Sequence, residues 1–161
     1  MILPGCGGGD DGTTGSAASG PASASAETGP VTAAALAPSL GSSARQLESR
    51  SGSILRRSLD ASLGPNAEIA IEAGSTRCRS GSATPSVTNP RRFPFACIVS
   101  GKATAAGVQT GFTLGFVVFN LHGRCWKATN ERIAAAASGP VVLTRREALE
   151  PANVIAGCVG G

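Results

Sequence analysis

Residues 93–129 read FPFACIVSGKATAAGVQTGFTLGFVVFNLHGRCWKAT. Phe95, Cys97 and Val99 recur at every second position, the period of a β-strand with one face turned to a core. Pro94 has no N–H to give to a ladder, which places the start of this element at a sheet edge or a bulge. From Phe112 to His122 apolar residues fall on both faces, as expected at the centre of a sheet. His122-Gly123-Arg124 reads as a turn, and CWKAT (Cys125–Thr129) as the strand that pairs back. Residues 101–111, GKATAAGVQTG, are small and polar and read as a loose hairpin connection.

Upstream, Glu68-Ile69-Ala70-Ile71-Glu72 alternates charged with apolar residues, the pattern of a half-exposed strand. A spacing of four on one strand face puts Glu68 and Glu72 roughly 13 Å apart, too far to share acid and base work. Before it, in SARQLESRSGSILRRSLDASLGP, the residues Leu47, Ile54, Leu55, Leu59 and Leu63 fall three, four or seven apart. This predicts a helix over residues 43–63, with Ser43-x-x-Gln46 as a capping box, Gly64-Pro65 as a stop and Gly52 as a weak point in the middle. The stretch RCRSGSATPSVTNPRR (residues 77–92) is rich in turn formers. In the tail, NERIAAAASGP suggests a short helix, VVLT a short strand, and REALEPANVIAGCVGG a loop or helical turn.

The expectation is therefore an α+β fold: one N-terminal helix packed on a roughly four-stranded antiparallel sheet, stapled by disulfides. Residues 1–42 are almost all Gly, Ala, Ser, Thr and Pro, with Asp10, Asp11 and Glu27 as their charges. Such a segment buries too little apolar surface to offset the entropy of ordering, so it reads as a flexible tether to a single domain at 43–161.

The five cysteines divide unevenly. Cys78, Cys97, Cys125 and Cys158 lie in the expected domain, and an even number in a small exported domain suggests disulfides. Four cysteines allow three pairings. The preferred one joins Cys78 to Cys97 and Cys125 to Cys158, because sequential pairs link neighbouring strands or a strand to the returning tail. Each closed loop would stabilise by roughly 3 to 4 kcal/mol in the chain-entropy estimate. The competing chemistry is a zinc site or an envelope enzyme built on His122 and Cys125, an H-x-x-C start, but the chain has no C-x-x-C knuckle to complete it.

The fifth cysteine follows Leu3-Pro4-Gly5. LPGC resembles the end of a bacterial lipobox, in which an apolar and two small residues precede the cysteine that carries the lipid. The resemblance implies lipidation at Cys6, anchoring to the cell membrane, and an extracytoplasmic or secreted location, with GGGDDGTTGS as a flexible spacer. A secretory signal needs a positive n-region and 7 to 15 apolar residues, which places the expected start of translation upstream of Met1. GRCW, AGCVGG and FACIVSG are similar to segments of small exported domains of high-GC bacteria that have no established activity.

The formal charge of +4 is uneven, since all 14 Lys and Arg lie beyond residue 42 while three of the ten acidic residues precede it. The cations are scattered, without a run or interleaved aromatics, so nucleic-acid binding is not expected. FTLGFVVFNL (Phe112–Leu121) is half the length that a membrane-crossing helix requires. No G-x-S-x-G elbow or phosphate loop occurs, and His122 is the one imidazole. Trp126 reads as a core or sheet anchor. The expectation is a non-enzymatic module of the cell envelope with no catalytic residue, metal or cofactor, whose small-molecule or envelope partner is unspecified. A cleft between helix and sheet would be the place for a lipid or peptide.

Overall fold

The structure, a computed structural model, describes residues 30–81, 94–136 and 139–160, excepting the Asn120 side chain. It is α+β, a helical layer on one face of an antiparallel sheet with two disulfides, and the sheet is larger than the four strands expected. Among the described residues it has seven: β1 (Glu68–Ile71), β2 (Arg77–Ser80), β3 (Phe95–Ala105), β4 (Val108–His122), β5 (Cys125–Ala135), β6 (Gly139–Val142) and β7 (Val154–Cys158). The long strands β3, β4 and β5 form a meander. One edge of β3 is shared by β1 and β2, and one edge of β5 by β6 and β7.

Alternation along these strands separates two faces. Phe95, Cys97, Val99 and Ala103 of β3, Phe112, Leu114, Phe116 and Val118 of β4, and Trp126, Ala128 and Ile133 of β5 are buried on the inner face. The β3 row confirms the period-two reading of Phe95, Cys97 and Val99. Three other expectations for this region are corrected. β3 is interior, because β1 and β2 flank it, and Pro94 lies just before the strand instead of holding it at an edge. Residues 101–105 and 108–111 are ladder, not loose connection: the hairpin turns on Ala106 and Gly107 alone, with φ of 48° and 78°. Two positive φ values match the right-handed twist of the flanking strands. NERIAA is strand, not helix. Alanine favours helix intrinsically, but pairing with β4 on one edge and β6 on the other places Ile133 and Ala135 in the buried inner row, and that packing overrides the propensity.

The helical layer starts earlier than expected. α1 spans Ala33–Ala44, so the ordered domain begins before residue 43 and the last ten residues of the expected tether are helical; residues 1–29 lie outside the described residues. Thr32 caps α1, its hydroxyl accepting from Ala35 N at 3.2 Å. Pro38 removes one helical hydrogen bond, which costs about 3 kcal/mol. Full burial of Leu36 and Leu40, worth about 1.5 to 3 kcal/mol each, offsets it. The expected continuous helix at 43–63 is instead broken. A 3₁₀ turn, Arg45–Leu47, follows α1, and α2 spans Ile54–Leu63. Ser53 is the cap of α2, accepting from Arg56 N, whereas Ser43 sits at the end of α1 and donates to Ala156 O at 3.0 Å. Leu47, Leu55 and Leu59 of the expected stripe are all fully buried.

The tail forms α3 (Arg145–Leu149), a 3₁₀ turn and β7. Asn153 clips it to α2, accepting from Ile54 N at 2.8 Å and donating to Glu147 O at 2.7 Å. The outer edge of β1 is closed by side chains of the helical layer. Ile71 N donates to Glu48 Oε1 at 2.7 Å, and Arg56 donates to the carbonyls of Pro65 and Ala67 at 2.8 Å. An edge covered in this way offers little to a pairing strand.

Two expected outcomes test this packing. A Cβ at Gly101 would stand 2.7 Å from Ala70 O and collide with the Phe112 ring. Gly101→Ala therefore lowers stability by about 1 to 3 kcal/mol, read from the urea midpoint. The Glu147 carboxylate accepts from the Thr144 hydroxyl and N–H at 2.7 and 2.8 Å, which holds its pKa below the ordinary 4.5. A lowered folded-state pKa gives stability that is present above 4.5 and is lost as pH falls through the folded value. Glu147→Gln thus lowers the melting temperature at pH 7, with the deficit shrinking as both proteins are acidified below pH 4.5.

Candidate functional site

Strand register brings the four domain cysteines together as two pairs. Cys78 lies directly opposite Cys97 across β2 and β3, and Cys125 opposite Cys158 across β5 and β7, and both pairs are disulfide-bonded. This is the pairing preferred from the sequence. Each bond staples one flanking strand to the meander, on opposite sides of it. Two such bonds indicate an oxidising, extracytoplasmic environment. No helix among the described residues is long and apolar enough to cross a membrane.

The two bonds differ in setting. Cys97 is 1% exposed and shares the inner row with Phe95 and Val99, and Cys78 packs against the same core. Cys125 and Cys158 alternate with the buried Trp126 and Ile155, so they lie on the outer face, where both are exposed. Beside them is an open concavity of about 450 Å³ lined by His122, Trp126, Lys127, Ala156 and Gly157. His122 is exposed at the end of β4, directly opposite Cys125. Lys127 is exposed two residues beyond Cys125 on the same face. Because Cys125 is bonded to Cys158, its sulfur offers no thiolate to a metal, and the His122 and Cys125 pair is not a zinc half-site. Among the described residues no three of His, Cys, Asp or Glu gather where a metal ion could sit. Cys6 lies outside the described residues.

Trp126 anchors α1 to the sheet. It is 2% exposed, and its indole N–H donates to Ser39 Oγ at 3.2 Å, while Gly157 opposite it leaves room for the ring, which a Cβ would approach to 2.8 Å. The interface between helices and sheet is filled by leucines and aromatic rings, and at its margin an open concavity of about 440 Å³ lies between α1 and β7, lined by Pro38, Ser39, Ser43 and Gly157 among others.

At the other end of the outer face, a trough of about 580 Å³ crosses β3 to β6, with Ser100, Thr113, Ala134 and Pro140 among its lining and the Lys102–Glu72 ion pair, 3.1 Å, at one side. The exposed pair contributes at most about 1 kcal/mol. The trough has no imidazole, since His122 is the chain's one histidine and sits at the opposite end of β4.

Sequence reading did not single out Lys127, although a cation two residues from a cysteine on a strand was a usable signal. It also missed Asn130, which stands opposite Phe116, next to a register shift in the β4–β5 ladder. Asn130 is fully buried and neither Oδ1 nor Nδ2 has a hydrogen-bond partner. Comparison of the chain with protein-family models, with curated proteins and with solved structures finds no match.

An unpartnered buried amide costs about 1 to 3 kcal/mol. Asn130→Leu, similar in volume and without polar atoms, is expected to melt at or above the parent's temperature. A clear drop in scanning calorimetry would mean that the amide makes a stabilising contact in solution.

Proposed function

We propose that the chain is a small exported domain, held at the cell envelope by a lipid on Cys6, that serves there as a non-enzymatic binding or structural module. The observation that carries this reading is the pair of disulfides, because glutathione and thioredoxin systems keep cytosolic thiols reduced. LPGC supports the anchor: a cysteine after a small residue, followed by a polar glycine-rich stretch, suits attachment of acyl chains and stand-off of the domain from the surface. Two chains bind a bilayer stably, where a single one gives marginal, reversible attachment.

The open character of the outer face supports a module over an enzyme. Ile98 is 55% exposed there, the hydroxyls of Ser100 and Thr113 line a shallow trough, and the one imidazole of the chain faces a disulfide instead of a nucleophile. A fold of this kind assigns no ligand by itself.

The test is metabolic labelling. Expressed from its own gene in a bacterial host fed labelled palmitate, the protein is expected to take up label, to fractionate with membranes, and to lack free thiols at residues 78, 97, 125 and 158. Cys6→Ala abolishes label and releases the domain to the soluble fraction with its disulfides intact. Unlabelled parent protein recovered from the cytosol with those four thiols free would overturn the proposal.

A further inference from the structure

The disulfides lie on opposite faces of the sheet, and they differ in exposure: Cys125 and Cys158 are both exposed, whereas Cys78 is half-buried and Cys97 buried. Cys78–Cys97 is packed into the inner face, with Cys97 almost without exposure. Cys125–Cys158 lies on the outer face, beside a concavity of about 450 Å³. Disulfides open by attack of a thiolate on one sulfur, through a mixed disulfide, and access to the sulfur is a condition of the rate. A thiolate also leaves more readily when neighbouring cations lower the pKa of its thiol. Around this bond the outer-face cationic and titratable groups are unevenly placed, while Arg124, one residue before Cys125, turns its guanidinium to Val159 O and Gly160. Cys125 has Lys127 two residues along on its own face and His122 directly opposite, a separation of about 4.5 to 5.5 Å between Cβ atoms in such pairs. On β7, the outer-face residue next to Cys158 is Ala156.

We propose that Cys125–Cys158 is a thiol–disulfide exchange site for a dithiol partner, with Cys158 the sulfur attacked and Cys125 the leaving thiolate, while Cys78–Cys97 is a structural crosslink. In the first step a thiolate of the partner bonds to Cys158 Sγ, the Cys125–Cys158 bond breaks, and its electron pair goes to Cys125 Sγ beside Lys127 and His122. In the second, the partner's other thiolate bonds to the partner sulfur held on Cys158, and Cys158 leaves with that electron pair. The partner's dithiol is thereby oxidised to a disulfide and this bond reduced by two electrons, the two thiol protons of the partner passing to Cys125 and Cys158.

The surroundings of β7 allow this step to reverse. Without the bond, β7 is still held by its ladder to β5, by the buried Ile155, and by Ser39 Oγ donating to Cys158 O at 2.9 Å and Ser43 Oγ to Ala156 O at 3.0 Å. Beyond the strand, Val159 N donates to Arg124 O at 2.8 Å and Arg124 Nε to Val159 O at 3.0 Å. The reduced sulfurs therefore stay opposite each other, placed for reoxidation. The proposal stands independently of the lipid anchor.

The experiment uses the full folded chain in native buffer with Cys6 blocked by N-ethylmaleimide. Dithiothreitol is the dithiol probe, and samples quenched with iodoacetamide at intervals are mapped by mass spectrometry. Cys125 and Cys158 are expected to be alkylated at least ten-fold faster than Cys78 and Cys97, and glutathione, a monothiol, to leave its adduct on Cys158. The double variant H122A/K127A is expected to slow opening of Cys125–Cys158 at least three-fold, with the rate at Cys78–Cys97 unchanged in the same molecules as the internal control for folding. Equal rates at the two disulfides, or opening of Cys125–Cys158 only under denaturing conditions, overturns the site. A glutathione adduct on Cys125, or a double variant that opens at the parent's rate, overturns the assignment of the leaving sulfur.

Discussion

The antiparallel ladder of β3, β4 and β5 is the constraint on which the other features depend. Once these strands are in register, every side chain in them is assigned to one of two faces, and the inner rows of Phe95 to Ala103, Phe112 to Val118 and Trp126 to Ile133 form a continuous apolar surface. A sheet with one such face requires a covering layer. α1 and α2 provide it with Leu36, Leu40, Leu55 and Leu59, all fully buried. The same register leaves the outer edges of β3 and β5 open to two short strands each, and the cysteines meet where β2 and β7 dock.

Each crosslink joins a short flanking strand to a long one, and short strands have few ladder bonds of their own. β2 has four residues in register with β3, and β7 has five with β5. For strands of this length a covalent tie closing a loop of tens of residues is a larger contribution than any one ladder bond, roughly 3 to 4 kcal/mol against about 1. The two ties differ in what surrounds them, because alternation sends Cys97 inward with Val99 and Cys125 outward with Lys127. Identical chemistry is thus placed in a core on one flank and at a solvent-facing surface on the other.

The helical layer also manages the sheet margin. Glu48 and Arg56, from the connection before α2 and from α2 itself, occupy backbone groups of β1 and of the residues before it. Asn153 and the Thr144–Glu147 capping box do comparable work at the other side, ordering the segment that returns β7 to the sheet. These polar contacts are few, but each satisfies a backbone group near the rim of the core, where an unpaired donor or acceptor is expensive.

Local pattern in the amino-acid sequence was enough to determine the α+β class, the inward row of Phe95, Cys97 and Val99, the solvent-facing Glu68 and Glu72 and the turn at His122-Gly123-Arg124, and it favoured the sequential cysteine pairs without choosing them. These features repeat with the period of the backbone that carries them, or lie within one connection. Tertiary structure alone decided the rest. α1 is written in Ala, Ser and Pro, a composition shared with flexible tethers, and it is a helix because Leu36 and Leu40 find a sheet to cover. Ile133 to Ala135 are strand because β4 and β6 supply partners on both edges, against the intrinsic preference of alanine. Which disulfide is exposed was likewise illegible in the chain, since a cysteine's spacing does not say which face of which sheet it will occupy until the long strands have come into register.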